Sequence, residues 1–316
     1  MAVAETTARP ASRPLEGLEA GSRRYREKII VGGLFLCAAL SIVLTVGIVL
    51  ALLIPSLEFF GEVNPVEFFT GTEWAPLFKN SEFGVLPLLG GTLVVTLIAA
   101  AICLPLGLLA AIYLSEYAAR RTRSFVKPIL EILAGIPTVV YGFFALTFIT
   151  PLLRENWLFG TPPGVFNALS AGLVMGIMIL PTVASISEDA MYAVPQSLRA
   201  GAAALGATKY EISTRVVVPA GLSGIIAAFV LGISRAVGET MIVLIAAGGM
   251  PNLSFNPIEA MQTMTAFIGA AGLGDQATGS IGYKTIFAVG LSLFVMTLIM
   301  NIISIRLVRK YREVYD

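Results

Sequence analysis

Residues 216–247 read VVVPAGLSGIIAAFVLGISRAVGETMIVLIAA. Only two of these side chains, Arg235 and Glu239, carry charge. The run exceeds the roughly 20 apolar residues that a helix needs to cross a bilayer. Ionised groups at that depth cost about 2.5–3.5 kcal/mol each on insertion scales, and they persist where they face a bundle interior or a water-filled path. Arg235 and Glu239 are four residues apart, so they share one helix face. The pair therefore has two readings. One is an ion pair that fixes helix packing. The other is part of a substrate path.

Working outward, five more stretches are long and apolar enough to span: 29–54, 85–115, 128–150, 165–187 and 284–308. Several contain proline (Pro87, Pro105, Pro137, Pro181), as does the 216–247 stretch (Pro219). Membrane bundles tolerate this because neighbouring groups satisfy the freed carbonyls. The whole chain agrees: of 316 residues, 56% are hydrophobic and 13% charged, with net charge +1. A soluble domain carries about 25% charge. This balance excludes an ordinary cytosolic enzyme, a disordered protein and a nucleic-acid binder. The absence of histidine removes His-based triads and His-ligated metals. Two cysteines, Cys37 and Cys103, lie in apolar runs and read as buried small hydrophobes. No Gly-x-x-x-x-Gly-Lys-Ser/Thr phosphate loop is present, so the chain does not bind ATP in that way. Gly172 and Gly176 form a small-xxx-small pair, which predicts close helix packing.

Of the 21 Lys and Arg residues, 17 fall before the first span or after the second, fourth and sixth. The positive-inside rule then places both termini in the cytoplasm. Residues 1–28, without apolar periodicity, read as a flexible cytoplasmic tail. The first span is too long for a cleaved signal peptide and reads as a retained anchor. The connection 55–84, with Glu58, Glu62, Glu67, Glu73 and Glu82, reads as a solvated outer loop or a docking surface. Trp74 and Trp157 fall in outer loops, where an amphipathic ring suits the interface.

A guanidinium offers a planar fork for an oxyanion. A neighbouring carboxylate repels a fully ionised anion but accepts a hydrogen bond from a protonated one. Arg235 and Glu239, flanked by the hydroxyls of Ser234 and Thr240, thus suggest a path for a protonated oxyanion. In the loop 188–218, Pro195 can open a short helix with Leu198, Ala202 and Leu205 along one face. Gly206 is positioned to stop it, and Thr208-Lys209-Tyr210-Glu211 forms a capping-box pattern for the next helix. By itself such a helix either lies on the membrane surface or docks into a partner.

The same loop carries a family pattern. Ala200-Gly201-Ala202, then Gly206, then Val216-Val217-Val218-Pro219 resemble the Glu-Ala-Ala…Gly…Ile-x-Leu-Pro motif of ABC importer permease subunits. Ala200 stands where that family usually has Glu, which would either weaken the salt-bridge component of ATPase docking or shift it to Arg199 or Lys209. Three further segments resemble phosphate-specific permeases of the PstC type: Arg235 to Thr240, Ala134-Gly135-Ile136-Pro137-Thr138-Val139-Val140-Tyr141-Gly142, and Gly71-Thr72-Glu73-Trp74 followed by Phe83-Gly84-Val85-Leu86-Pro87 and Gly91-Thr92-Leu93. The resemblance covers roughly residues 29–316. It implies an all-α membrane protein with six transmembrane helices in the type I ABC importer, MetI-like permease fold. The implied coupling helix lies near 195–210, with Arg199, Ala200, Gly201, Ala202, Gly206, Lys209 and Pro219 coupling to an ATPase. Pro137, Thr138 and Tyr141 would line the path beside Arg235 and Glu239. The implied partners are a PstA-type permease, a PstB-type ATPase dimer and a PstS-type phosphate-binding protein. ATP and Mg would act through the ATPase, and neither nucleic acid nor metal would bind this chain. A permease for molybdate or sulfate, and a secondary anion transporter acting alone, are the competing expectations.

Overall fold

The computed structural model describes residues 20–76, 78, 81–157 and 160–310. Residues 1–19 of the expected tail lie outside that range, and residues 20–28 are already helical, within α1 (Ala20–Glu62). The chain divides into two units, residues 1–51 and 52–316. In the first, α1 is apolar around its circumference from Ile29 onward, and the Thr45 hydroxyl donates back to the Ser41 carbonyl at 2.8 Å. A polar side chain in hydrocarbon is satisfied in this way without a second helix. Cys37 is exposed on this helix, against expectation, whereas Cys103 is buried.

The second unit is built around α3 (Leu86–Ile112), α7 (Ala168–Tyr192) and α11 (Leu222–Val237). The glycine pair does what its spacing predicts. A Cβ on Gly172 would stand 2.7 Å from Ile98 Cβ, and one on Gly176 would stand 3.0 Å from the Ala99 carbonyl oxygen. Val183 of α7 is gripped from both sides. A Cβ on Gly107 of α3 or on Gly232 of α11 would each come within 2.8 Å of one of its methyls. The order of these contacts makes α3 and α7 parallel. Both helices contribute to the main core, with Val95, Ala99, Met175, Met178 and Ile179 fully or nearly fully buried.

Among the described residues, four helical segments are long and apolar enough to cross a membrane singly, and two bent pairs bring the number to six if each is one span. The third expected span is Arg120–Ala134 (α4) and Thr138–Glu155, bent by 87°. The second half comprises α5 (Thr138–Phe144), a π-helical turn and α6 (Thr150–Glu155). Pro137 sits at the bend; it lacks an amide hydrogen and drives Ile136 out of helical conformation. The fifth is Lys209–Ala220 and Leu222–Val237, bent by 72° at Gly221. Its first half holds α9 (Lys209–Glu211), a π-helical stretch and α10 (Val218–Ala220). The unbroken 216–247 helix is therefore corrected to several pieces.

Ahead of α3, the connection 55–84 is no bare solvated loop. α1 runs on to Glu62, and α2 (Pro65–Thr70) follows, with Asn64 Oδ1 capping the Val66 amide at 2.9 Å. The chain then crosses itself so closely that a Cβ on Gly71 would lie 2.7 Å from Gly84 Cα. Phe59, Phe68, Trp74, Phe83 and Phe267 form a buried aromatic cluster there. Trp74 meets Phe267 edge to face at 4.9 Å and is 5% exposed, so it packs a core and is not an interface anchor. Two of the glutamates are paired: Lys284 Nζ lies 3.2 Å from Glu58 and 2.8 Å from Glu62. Lys284 lies in α13 (Ile281–Lys310), the last helix, which follows α12 (Met264–Gly272).

Candidate substrate path and coupling site

Arg235 and Glu239 do not share a helix face. α11 ends at Val237, Gly238 closes it, and Glu239 and Thr240 are not helical. Among the described residues no ion pair joins Arg235 to a carboxylate; its Nη1 donates to Thr182 Oγ1 at 3.3 Å. The half-buried guanidinium therefore keeps most of its donors for another partner. Glu239, 8% exposed, caps the next helical segment: its Oε1 accepts from the amides of Met241 at 3.0 Å and Ile242 at 3.2 Å. A carboxylate at a helix start satisfies orphan amides and suits the dipole. Ser234 Oγ is buried without a hydrogen-bond partner among the described residues, and Thr240 is half-buried.

A second helix start meets the same point. Thr263 caps α12 through the Ala266 amide at 3.1 Å and lies 3.0 Å from the Thr265 hydroxyl. Thr265 donates to the Glu239 carbonyl at 2.6 Å, and Thr92 of α3 accepts from the Met264 amide at 3.0 Å. Thr92, Thr96, Glu239, Thr263 and Thr265 thus gather polar groups inside the bundle, packed too closely to admit a water molecule. Tyr141 bridges the bend in its own span, donating to the Leu133 carbonyl at 3.0 Å. Pro137 precedes α5 and Thr138 opens it. Gly142 lets α5 approach the segment after Glu239: a Cβ there would lie 3.2 Å from the Met241 carbonyl oxygen. Broken helices whose ends turn inward, lined with hydroxyls, are a recurrent way to build a transport site in a membrane.

At the far end of α7 stands α8 (Gln196–Ala204), closed by Gly206 at φ +86°. Pro195 is the residue before the helix, not its first. The capping box forms as predicted: the Thr208 amide donates to Glu211 Oε2 at 2.9 Å and the Glu211 amide to Thr208 Oγ1 at 3.3 Å. Leu198 packs inward, but Leu205 lies past the helix end and is 91% exposed. Ala200 and Gly201 are exposed and Ala202 is half-buried. Pro219 lies in α10, two residues before the Gly221 bend. Of the two cations proposed to replace the missing glutamate, Arg199 turns inward and bonds Glu116 and the C-terminal end of α7, whereas Lys209 is exposed and stands 5.1 Å above the Tyr117 ring.

Glu188 and Asp189, not singled out from sequence, anchor α4. Glu188 is 1% exposed, with Arg123 Nη2 at 2.5 Å and Lys127 Nζ at 3.0 Å; Lys127 also pairs with Asp189. Arg123 also stacks on Tyr192, 3.8 Å from the ring centre. Arg123 and Lys127, four apart in a basic stretch facing a lone acidic pair at the end of the fourth span, were the available signal.

Residues 103–313 match the family described as "Binding-protein-dependent transport system inner membrane component". The probable ABC transporter permease protein YqgH of Bacillus subtilis is 37% identical over 280 residues, covering 88% of this chain and 89% of the relative. The phosphate transport system permease protein PstC of Xylella fastidiosa is 34% identical over 270 residues, covering 79% and 82%. Among solved structures, a bacterial alginate ABC transporter in complex with its alginate-bound periplasmic protein aligns with TM-score 0.64 at 15% identity, over 92% of this chain and 96% of that one. The chain belongs to this family of inner-membrane transport components, and it shares the ABC importer permease fold.

Proposed function

We propose that this member of the family is the PstC-type permease subunit of an ATP-driven phosphate importer, forming half of the translocation path with a PstA-type permease. A PstB-type ATPase pair supplies ATP hydrolysis, with Mg, on the cytoplasmic side, where both termini lie. A PstS-type protein delivers phosphate from outside. The relatives named as phosphate permeases support this reading. One observation carries it: a half-buried Arg235 guanidinium whose hydrogen-bond partner among the described residues is the neutral Thr182, beside a break in its own helix. In low dielectric such a fork attracts an oxyanion strongly. Glu239 gives Oε1 to two amides. Its Oε2 then accepts a hydrogen bond from the acidic hydroxyl of hydrogen phosphate, and Ser234 and Thr240 supply hydroxyls. Tyr141, Thr138 and Pro137 line the path at the neighbouring bend. Phosphate passes when α12 draws back from Glu239 and Thr92. Residues 29–316 form the permease domain, with α8 as coupling helix. Ala200, Gly201, Ala202 and Gly206 give the ATPase a close, uncharged approach, and Pro219 sets the turn into the membrane.

The test is uptake of labelled phosphate into proteoliposomes holding the four kinds of subunit. Wild type takes up phosphate only with ATP. Arg235→Gln assembles but loses uptake by about a hundredfold, the equivalent of one strong charge-assisted contact. Uptake without ATP defeats the importer reading, and uptake unchanged in the variant removes Arg235 from the path.

A further inference from the structure

We propose that Arg199 and Glu116 form the joint through which movement of α8 reaches the transmembrane core, making both positioning residues for transport. The inference rests on α8 being the coupling helix. Arg199 Nη2 and Nε lie 3.0 and 3.3 Å from Glu116 Oε1, and Nε lies 3.5 Å from Oε2. The same guanidinium donates to the carbonyl of Met191 at 2.8 Å and to that of Val194. One side chain thus fastens three things: the last turn of α7, the turn into α8, and the end of α3. Arg199 is 13% exposed and Glu116 8%, so the pair is held mostly out of water. The Ser115 hydroxyl also donates to Glu116 Oε1, at 2.9 Å.

The backbone is shaped for this grip. α3 does not end as an α-helix but widens into a π-helical turn, Tyr113–Tyr117. Glu116 and Tyr117, the residues that face Arg199 and Lys209, both belong to that turn. π-turns change the direction of side chains relative to the preceding helix and recur at functional positions. Among the described residues, α8 holds the core otherwise only through Leu198, which packs with the cluster of Ala111, Met191, Val194 and Val217. Its outward residues Gln196, Ser197, Ala200, Gly201, Ala203 and Ala204 carry no charge. Docking by this face leaves Arg199 untouched. A push on α8 then acts on Glu116, because separating the pair would strand two ions in a poorly hydrated place. Since α3 is packed glycine-close against α7, the displacement passes into the helices that carry the core.

The experiment uses the complete reconstituted complex and reads two quantities, ATP hydrolysed and labelled phosphate taken up. The variants are Arg199→Ala, Glu116→Ala, the double variant and Glu116→Gln, which keeps the size of the side chain. We expect each single alanine variant to retain the ATPase and its hydrolysis while uptake per ATP falls by about tenfold or more, the scale of a coupling free energy. The double variant falls no further than the worse single, because one joint is broken once. Glu116→Gln lies between and covers the case where an alanine variant fails to assemble. Three results overturn the proposal: effects that multiply in the double variant, release of the ATPase from Arg199→Ala, or uptake per ATP equal to wild type. Failure of the underlying importer reading is separately visible, as wild-type uptake that needs no ATP.

Discussion

The two ends of the parallel pair α3–α7 are held by different chemistry. Where α3 begins, rings of Phe59, Phe68, Trp74, Phe83 and Phe267 interlock edge to face, with centroids 4.9–6.2 Å apart in the contacts of Phe68 and Trp74. Where both helices end, Glu116 and Glu188 meet Arg199, Arg123 and Lys127. Aromatic packing is short-ranged and tolerates no gap. An ion pair acts over a longer range and, where exposed, weakens with salt. The first end is held by packing, the second by charge.

The comparison breaks first at its aromatic end. Phe68 is 0% exposed, and Phe68→Ala should lower stability by about 3–5 kcal/mol, the usual cost of an emptied aromatic site. Thermal unfolding of the solubilised protein measures it. A loss smaller than that from breaking an ion pair would erase the distinction between the ends. Glu188→Gln is the next test. Glu188 is 1% exposed, but the side chains of Arg123 and Lys127 are 24% and 25% exposed, so water can take up the released cations. The loss should be about 1–3 kcal/mol, below that of an isolated buried pair. Hydrogen exchange should rise in α4 and the end of α7 and stay unchanged around Trp74.

The smallest effect lies in the loop that leads to α12. Hydrogen bonds from Ser254, Asn256 and Asn252 hold the Glu259 carboxyl below its ordinary value of 4.5. The folded value is lower than the unfolded one, so these bonds stabilise the loop fully above about 4.5 and are lost as pH falls through the folded value. Amide exchange in residues 252–259, corrected for its intrinsic pH dependence, should show protection constant from pH 7 to about 5 and declining only below that. Protection that falls between pH 7 and 6 would assign the loop's order to another group.

Local signals survived folding where the cause was local. The Thr208–Glu211 box and the stop at Gly206 involve neighbours in sequence, and both formed. The glycine pair in α7 was readable because its spacing alone puts both on one face. Arg235 and Glu239 were misread as a shared face because a spacing of four means that only on an unbroken helix. The sequence held the counter-signal, Gly238 ahead of an acidic residue that can cap Met241 and Ile242. Trp74 was placed at an interface because nothing nearby shows that Phe267, almost 200 residues on, will cover it. Glu116 and Thr92 drew no attention as site residues for the same reason: their partners, Arg199 and Met264, come from elsewhere in the chain.

Val183, seated between Gly107 and Gly232, has a mechanical meaning. With its methyls set against a glycine on either flank, Val183 knits α3, α7 and α11 into a close-packed keel. Any cycle of shapes must then be worked at the knuckles: the 87° bend at Pro137, the 72° bend at Gly221, and the break after Val237. Two of the knuckles carry the residues proposed to meet the cargo. Changing what is carried would therefore call for new linings at the knuckles, and the keel could be inherited whole.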